Sequence, residues 1–285
     1  MTNMLEIDGV RLSYSQSGTG RNQVVFVHGN SCCAEVFSSQ LAHLQESEWS
    51  AISVDLPGHG NSNNAVQPEA QYTIPGYARI LIKFLNRLGV ENPVIVGWSL
   101  GGNIAMEMLG QGFGMRALLL MGAPPVGPGP EDFAAAFDPS TFNTAVGEEN
   151  PTQAHLDEFV RVVYQDMNVI PKAFFEAACR TDGKARTIMG THWISGKEGY
   201  QQRDVVAKSN LPICVVQGKN EPWVLMEYLQ QVPWANLWRD EVIELDHCGH
   251  APFVENPEGF NHILNNFLQD VLDLRHCQIK TDLNR

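Results

Sequence analysis

A serine hydroxyl is a poor nucleophile near neutral pH, so a serine that does chemistry is recognised by its surroundings. Pro93–Gly102 reads P-V-I-V-G-W-S-L-G-G. A β-branched run, Val94–Val96, leads into Gly97-Trp98-Ser99-Leu100-Gly101, and a helix-like stretch follows over Asn103–Leu109. In a glycine-rich chain the bare G-x-S-x-G pattern is weak; the flanking strand and helix give it weight. A sharp strand-to-helix turn holds its serine in a strained backbone conformation, with the hydroxyl pushed out above the sheet. Glycines on either side let strand and helix approach, and the helix start offers N–H groups to developing negative charge. The expected chemistry is attack by Ser99 on a carbonyl carbon.

Such a serine needs a base in reach and a group to orient that base, and on a strand–turn–helix serine the chain order is serine, acid, histidine. His250, in Gly249-His250-Ala251-Pro252 between the last predicted strand and the closing helix, is the predicted base. His247 is the neighbouring competitor, but it lacks the preceding glycine and the proline two positions on. His28 and His59 precede the serine in backbone-shaping turns and are read as structural or pocket-lining. Glu221 is the predicted acid, just beyond the strand Ile213–Gln217 in Gly218-Lys219-Asn220-Glu221-Pro222. Aspartate is the commoner residue there, and Asp246 and Asp240 are the alternatives; Asp246 would have to double back to reach the base. The oxyanion needs two backbone N–H donors, expected from Leu100 and from Asn30 in His28-Gly29-Asn30. Trp98, beside the serine, is expected to line the pocket or to fill the core.

The elements that must position these residues alternate along the chain. Leu5–Ile7 and Val10–Ser15, separated by Asp8-Gly9, read as a β-hairpin. Val24–Val27, Ala51–Val54, Val94–Val96, Ala117–Met121, Ile213–Gln217 and Glu241–Leu245 read as strands, most of them apolar throughout. Helical patterns fall at Glu35–Leu44, Tyr72–Leu88, Asn103–Leu109, Val224–Gln231 and Pro257–Leu274, with a polar, loosely held tail from His276. Apolar strands alternating with helices predict an α/β fold whose mostly parallel sheet is covered on both faces. Ligands in such sheets bind outside the carboxyl ends of the strands, where every motif above sits. The alternation breaks after Gly122. Residues 124–209 read as a mainly helical cap insertion, with helices at His155–Tyr164 and Lys172–Cys179, over a core made of 1–123 and 210–285.

The chain has 285 residues and a net charge of −13, with no basic cluster. That argues against nucleic acid or an anionic membrane as partner and favours a neutral small-molecule substrate. Met1–Gly9 shows neither a cationic nor an apolar leader region, and no apolar run approaches a membrane span. Six scattered cysteines show no metal-binding or redox spacing, which suits reduced thiols in a cytoplasmic protein. No metal and no cofactor are expected, and the oligomeric state is not readable.

Together these residues resemble the α/β-hydrolase fold superfamily, over nearly the whole chain. A narrower resemblance lies in Gly97–Gly102, Gly122-Ala123-Pro124-Pro125-Val126, Arg180-Thr181-Asp182-Gly183-Lys184-Ala185-Arg186, Gln202-Arg203-Asp204 and Asn220-Glu221-Pro222-Trp223. That set is similar to the metal-independent N-acyl-homoserine lactone lactonases of this fold, which degrade bacterial quorum signals. In that group the acid is a glutamate, in line with Glu221. The segment Ala134–Met167 matches less well. The resemblance implies that Ser99 opens the lactone ring through an acyl-enzyme and that His250 shuttles the proton. It also implies that Trp98, Trp223 and one of Phe159 or Tyr164 contact the substrate. A minority of the cap's apolar residues (Phe133, Phe137, Phe142, Phe159, Phe174, Phe175, Trp193) would meet the acyl chain.

Two other readings stay open. One is a carboxylesterase or carbon–carbon bond hydrolase acting on small neutral esters or ketones with the same triad. The other is a small-ligand receptor on a hydrolase scaffold. Dehalogenases and epoxide hydrolases of this fold use an aspartate where Ser99 stands, and no H-x-H-x-D-H metal cluster is present for a metallo-lactonase.

Overall fold

The computed structural model describes residues 2–138, 140–141, 147–164, 170–196 and 198–282, with side chains to residue 273. Strands β1 (Thr2–Ile7) and β2 (Val10–Ser17) form the hairpin. Asp8 and Gly9 turn it with φ of 49° and 81°, a two-residue loop that matches the twist of the strands. The strands β3 (Asn22–Val27), β4 (Trp49–Val54), β5 (Val94–Trp98), β6 (Ala117–Met121), β7 (Ile213–Gly218) and β8 (Ile243–Leu245) follow. The eight-stranded sheet has the order β1-β2-β4-β3-β5-β6-β7-β8. β2 joins β4 antiparallel, and every pairing from β4 to β8 is parallel. The central strands are buried on both faces, as their unbroken runs of Val, Ile and Leu require.

Helices α1 (Ser38–His43), α2 (Pro68–Gln71), α3 (Ile74–Arg87) and α4 (Leu100–Gly110) cover this half of the sheet. α3 begins where Thr73 Oγ1 accepts the Gly76 N–H at 3.0 Å, and it buries Tyr77, Ile80, Leu81, Phe84 and Leu85. The predicted helix over 35–44 is instead a 3₁₀ turn, Ala34–Phe37, followed by α1. Asp55 fixes the start of that turn by accepting the Ala34 N–H at 2.6 Å.

Between β6 and β7 the described elements are α5 (Pro130–Ala136), α6 (Gln153–Val163), α7 (Lys172–Arg180), α8 (Gly183–Ser195) and α9 (Gln202–Lys208). The segment Arg180–Arg186 seats them. Arg180 donates to the Ser62 carbonyl, Asp182 N–H to Gly58 O at 2.9 Å, and the Tyr72 hydroxyl to Asp182 Oδ2 at 2.7 Å. Arg186 is 2% exposed and donates to Ser31 Oγ at 2.7 Å and to the carbonyls of Ala178 and Thr181. These helices are thereby tied to the loops that follow β3 and β4.

The chain closes with α10 (Met226–Gln230), α11 (Pro252–Glu255) and α12 (Pro257–Asp282). α12 continues past the predicted end at Leu274. No glycine or proline follows Gly259, so a polar composition alone does not end the helix. The described cysteines, Cys32, Cys33, Cys179, Cys214 and Cys248, are free. Among the described residues no helix is long and apolar enough to cross a membrane.

Candidate active site

Ser99 stands between β5 and α4 with φ 53° and ψ −124°, a left-handed conformation that costs a non-glycine residue energy. Its own N–H donates to Met121 O at 2.8 Å, and its carbonyl accepts from Gly102 N at 2.9 Å and Asn103 N at 3.2 Å. The turn is this tight because its neighbours lack side chains. A Cβ on Gly97 would lie 2.6 Å from Gly102 Cα, and one on Gly101 would run into the Val27 carbonyl. The close approach of α4 to the end of β3 carries Gly29 and Asn30 to the start of the helix. Asn30 and Leu100, the two predicted oxyanion donors, line one cavity with Ser99.

His250 reaches the same cavity from the loop after β8. Its Nδ1 lies 2.9 and 2.8 Å from the two carboxylate oxygens of Glu221. Both side chains are buried, at 2% and 4% exposure. Glu221 Oε1 also accepts the N–H of Trp223 at 2.9 Å, which fixes the carboxylate in place. Two buried oxygens facing Nδ1 select the tautomer that carries its proton there, leaving Nε2 as a lone-pair base. Nε2 is buried and has no hydrogen-bond partner among the described residues, on the cavity that Ser99 lines. In unliganded sites the serine–histidine contact is commonly loose and tightens with substrate.

The imidazole is boxed in. Trp98 Nε1 donates to the His250 carbonyl at 2.7 Å, and the Trp223 ring meets the imidazole edge-on, centroids 4.6 Å apart. Gly122, with φ 54°, makes room beneath; a Cβ there would lie 2.5 Å from His250 Cε1. Asn220 N–H donates to Cys248 O at 2.8 Å, so the loops carrying Glu221 and His250 are strapped together.

The competing residues are elsewhere. Asp246 pairs with Lys219 at 2.6 Å on the surface, and His247 is exposed. His28 staples the loops after β3 and β4: its Nδ1 lies 2.7 Å from Gly29 O and its Nε2 accepts the Leu56 N–H at 3.0 Å. Burial lowers its pKa, and burial lowers that of His59, 5.3 Å away ring to ring, further still. Neither histidine lines the cavity.

The cavity has a volume of about 350 Å³ and mostly apolar walls. Trp98, Trp223 and Phe159, predicted to contact substrate, all line it, and Phe159 stacks on Trp223 at 5.9 Å. Tyr164, the other aromatic residue expected near the substrate, is not among the described lining residues. It sits one position past Phe159–Val163 on the buried side, stacks on Phe174 at 5.7 Å, and has its hydroxyl 3.8 Å from Cys32 Sγ. Of the cap's apolar set, Phe133, Phe137 and Trp193 also line the cavity, whereas Phe174 and Phe175 pack elsewhere. Phe142 lies outside the described residues. Sequence reasoning missed Asn103 and Met189 on the wall. Among the described residues no three His, Cys, Asp or Glu side chains gather as a metal site would require.

The family model described as "Alpha/beta hydrolase family" matches residues 24–263, most of the chain. The chain belongs to the alpha/beta hydrolase family. Among solved members of this fold, a mutant of the N-acyl homoserine lactonase AidH complexed with N-hexanoyl homoserine lactone is similar at TM-score 0.88. That pair is 34% identical and covers 95% of this chain and 98% of the other. Two curated proteins match at lower identity. The dihydrolipoyllysine-residue acetyltransferase component of the acetoin cleaving system of Cupriavidus necator is 24% identical over 92% of this chain and 68% of its own length. A 2-hydroxy-6-oxononadienedioate/2-hydroxy-6-oxononatrienedioate hydrolase of Burkholderia vietnamiensis is 22% identical over 91% of each chain.

Proposed function

We propose that this hydrolase opens the lactone ring of N-acyl-homoserine lactones by serine catalysis, with Ser99, His250 and Glu221 as the triad. The observation that carries the proposal is the Glu221 carboxylate 2.8 Å from His250 Nδ1, at a cavity shared by Ser99 and apolar walls. The likeness to AidH supports the choice of substrate.

Ser99 Oγ attacks the ring carbonyl while His250 Nε2 takes its proton. The N–H groups of Asn30 and Leu100 stabilise the oxyanion, each worth about 3–4 kcal/mol in the transition state. Collapse breaks the ring C–O bond, and His250 returns the proton to the leaving alkoxide, which stays tethered to the acyl group. His250 then activates water, which releases N-acyl-homoserine and restores Ser99. Glu221 holds the imidazole and stabilises its protonated form. Residues 124–209 act as a cap whose Phe133, Phe137, Phe159 and Trp193 receive the acyl chain.

The test follows proton release from chelator-treated protein on N-hexanoyl and N-decanoyl homoserine lactones, beside p-nitrophenyl acetate and butyrate, with Ser99→Ala as control. Lactone opening that survives chelation and is lost in the variant is the expected result. Ester turnover without lactone opening would sink the lactonase reading and leave a carboxylesterase.

A further inference from the structure

Asn103 lies one turn along α4 from Ser99, its N–H donating to the Ser99 carbonyl at 3.2 Å. It is 1% exposed, yet it lines the cavity. Its carboxamide nitrogen is fully committed inside the protein, donating to Pro124 O at 2.9 Å and to Gln202 Oε1 at 2.8 Å. Gln202 completes the clamp by donating to the Asn103 carbonyl at 3.0 Å. Two donated bonds use both N–H groups and fix which way the amide faces. Its Oδ1 is then the remaining polar atom, and no donor among the described residues reaches it.

An acceptor on an apolar cavity wall is best satisfied by a ligand that brings a donor. Among the described lining residues, the other side chains with amide, hydroxyl or imidazole groups are Asn30, Ser99 and His250, which belong to the proposed catalytic elements. Asn103 is used by none of those steps. On a helix the side chain leans back toward the N-terminus and residues four apart are neighbours, with Cβ atoms about 5–6 Å apart, so Asn103 stands over the turn that starts at Ser99.

We propose that Asn103 Oδ1 is a specificity element that accepts a hydrogen bond from an N–H placed next to the carbonyl under attack. This rests on the lactonase reading. In an N-acyl-homoserine lactone the amide nitrogen is bonded to the carbon beside the ring carbonyl, so the N–H falls on this side of Ser99. The acceptor selects α-amido lactones over simple esters and lactones, because a substrate without the N–H covers Oδ1 and leaves it unpaired.

The experiment compares N-hexanoyl homoserine lactone with its carba analogue, in which CH₂ replaces N–H and the chain length and side-chain carbonyl are kept. Wild-type protein is expected to prefer the amide by about 10–100-fold in kcat/KM. In Asn103→Ala that preference collapses to within about 3-fold, because the amide substrate loses far more activity than the carba analogue does. Asn103→Leu, which fills the space, gives the same result if the alanine variant folds poorly. A wild type that opens both lactones equally overturns the inference and spares the lactonase reading. So do variants that lose both substrates in parallel, since a purely structural asparagine would do that. A wild type that opens neither lactone while hydrolysing the p-nitrophenyl ester overturns both.

Discussion

The floor and the roof of the cavity are built on different principles. The floor is made by the loops at the carboxyl ends of β3, β5, β6, β7 and β8, and its polar atoms are fixed by backbone contacts. Gly97, Gly101 and Gly122 permit separations that no side chain would, and Glu221 is held on His250 at 2.8 Å while also bonded to the Trp223 N–H. The roof is made by α5, α6 and α8, and its contribution is shape: Phe133 and Phe137 stack on each other at 4.5 Å and meet Trp193 edge to face at 5.5 and 6.1 Å. A floor of this kind tolerates almost no change in atom position. A roof of this kind tolerates exchange of one apolar group for another with modest loss.

If that contrast is right, floor substitutions act on kcat for every substrate and roof substitutions act on selected ones. The largest effect is expected from Glu221→Gln, which keeps the shape but no longer favours the productive imidazole tautomer or its cation. A fall of about 10³–10⁴-fold in kcat, equal for lactone and p-nitrophenyl ester, is the outcome to look for in steady-state assays. A loss below tenfold would show that the acid is not part of the floor.

Arg186 is the seam between the two regions. It donates to Ser31 Oγ, which in turn donates to Asn30 Oδ1 at 3.3 Å, beside the proposed oxyanion donor. Arg186→Met should lower unfolding free energy by about 2–4 kcal/mol, because a hydroxyl and two carbonyls lose their buried donor. It should also reduce kcat about tenfold with KM little changed, measured by denaturant melts and kinetics on one preparation. A stability loss with unchanged kcat would separate the seam from the floor.

In the roof, Trp193→Ala should cost about tenfold in kcat/KM on N-decanoyl homoserine lactone and leave p-nitrophenyl acetate within about threefold. Equal losses on both would mean that the roof, like the floor, positions the reacting atoms.

The smallest effect concerns acid. Burial holds His28 and His59 neutral below their ordinary value of 6.5, whereas the unfolded chain takes up those protons near 6.5. Between the two values the unfolded state binds more protons, so stability is lost as pH falls below about 6.5, by at most about 1.4 kcal/mol per pH unit for each histidine. His59 Nε2 has no hydrogen-bond partner among the described residues, so His59→Leu should flatten the melting temperature against pH between 7 and 5. An unchanged slope would assign the acid sensitivity elsewhere.

The same contrast explains what could be read in the sequence. Floor residues are marked locally: Gly97 and Gly101 around Ser99, the glycine before His250, the strand before Glu221. The central strands were visible for a similar reason, since burial on both faces writes unbroken apolar runs such as Val94–Val96. Roof roles depend on long-range packing. Asn103 looked like one more helical position because its meaning comes from Gln202, 99 residues away. Tyr164 and Phe159 looked equivalent because an aromatic pattern does not say which ring a neighbouring helix covers. Arg186 stood out as part of a motif, but nothing in its neighbours said that a charged side chain would be buried against Ser31.

The most direct test of the account is active-site labelling with a fluorophosphonate, read by peptide mass spectrometry with and without N-hexanoyl homoserine lactone. The account predicts a single adduct on Ser99, slowed by the lactone in proportion to its occupancy and absent in Ser99→Ala. An adduct on another residue, or labelling of Ser99 that the lactone does not slow, would contradict it.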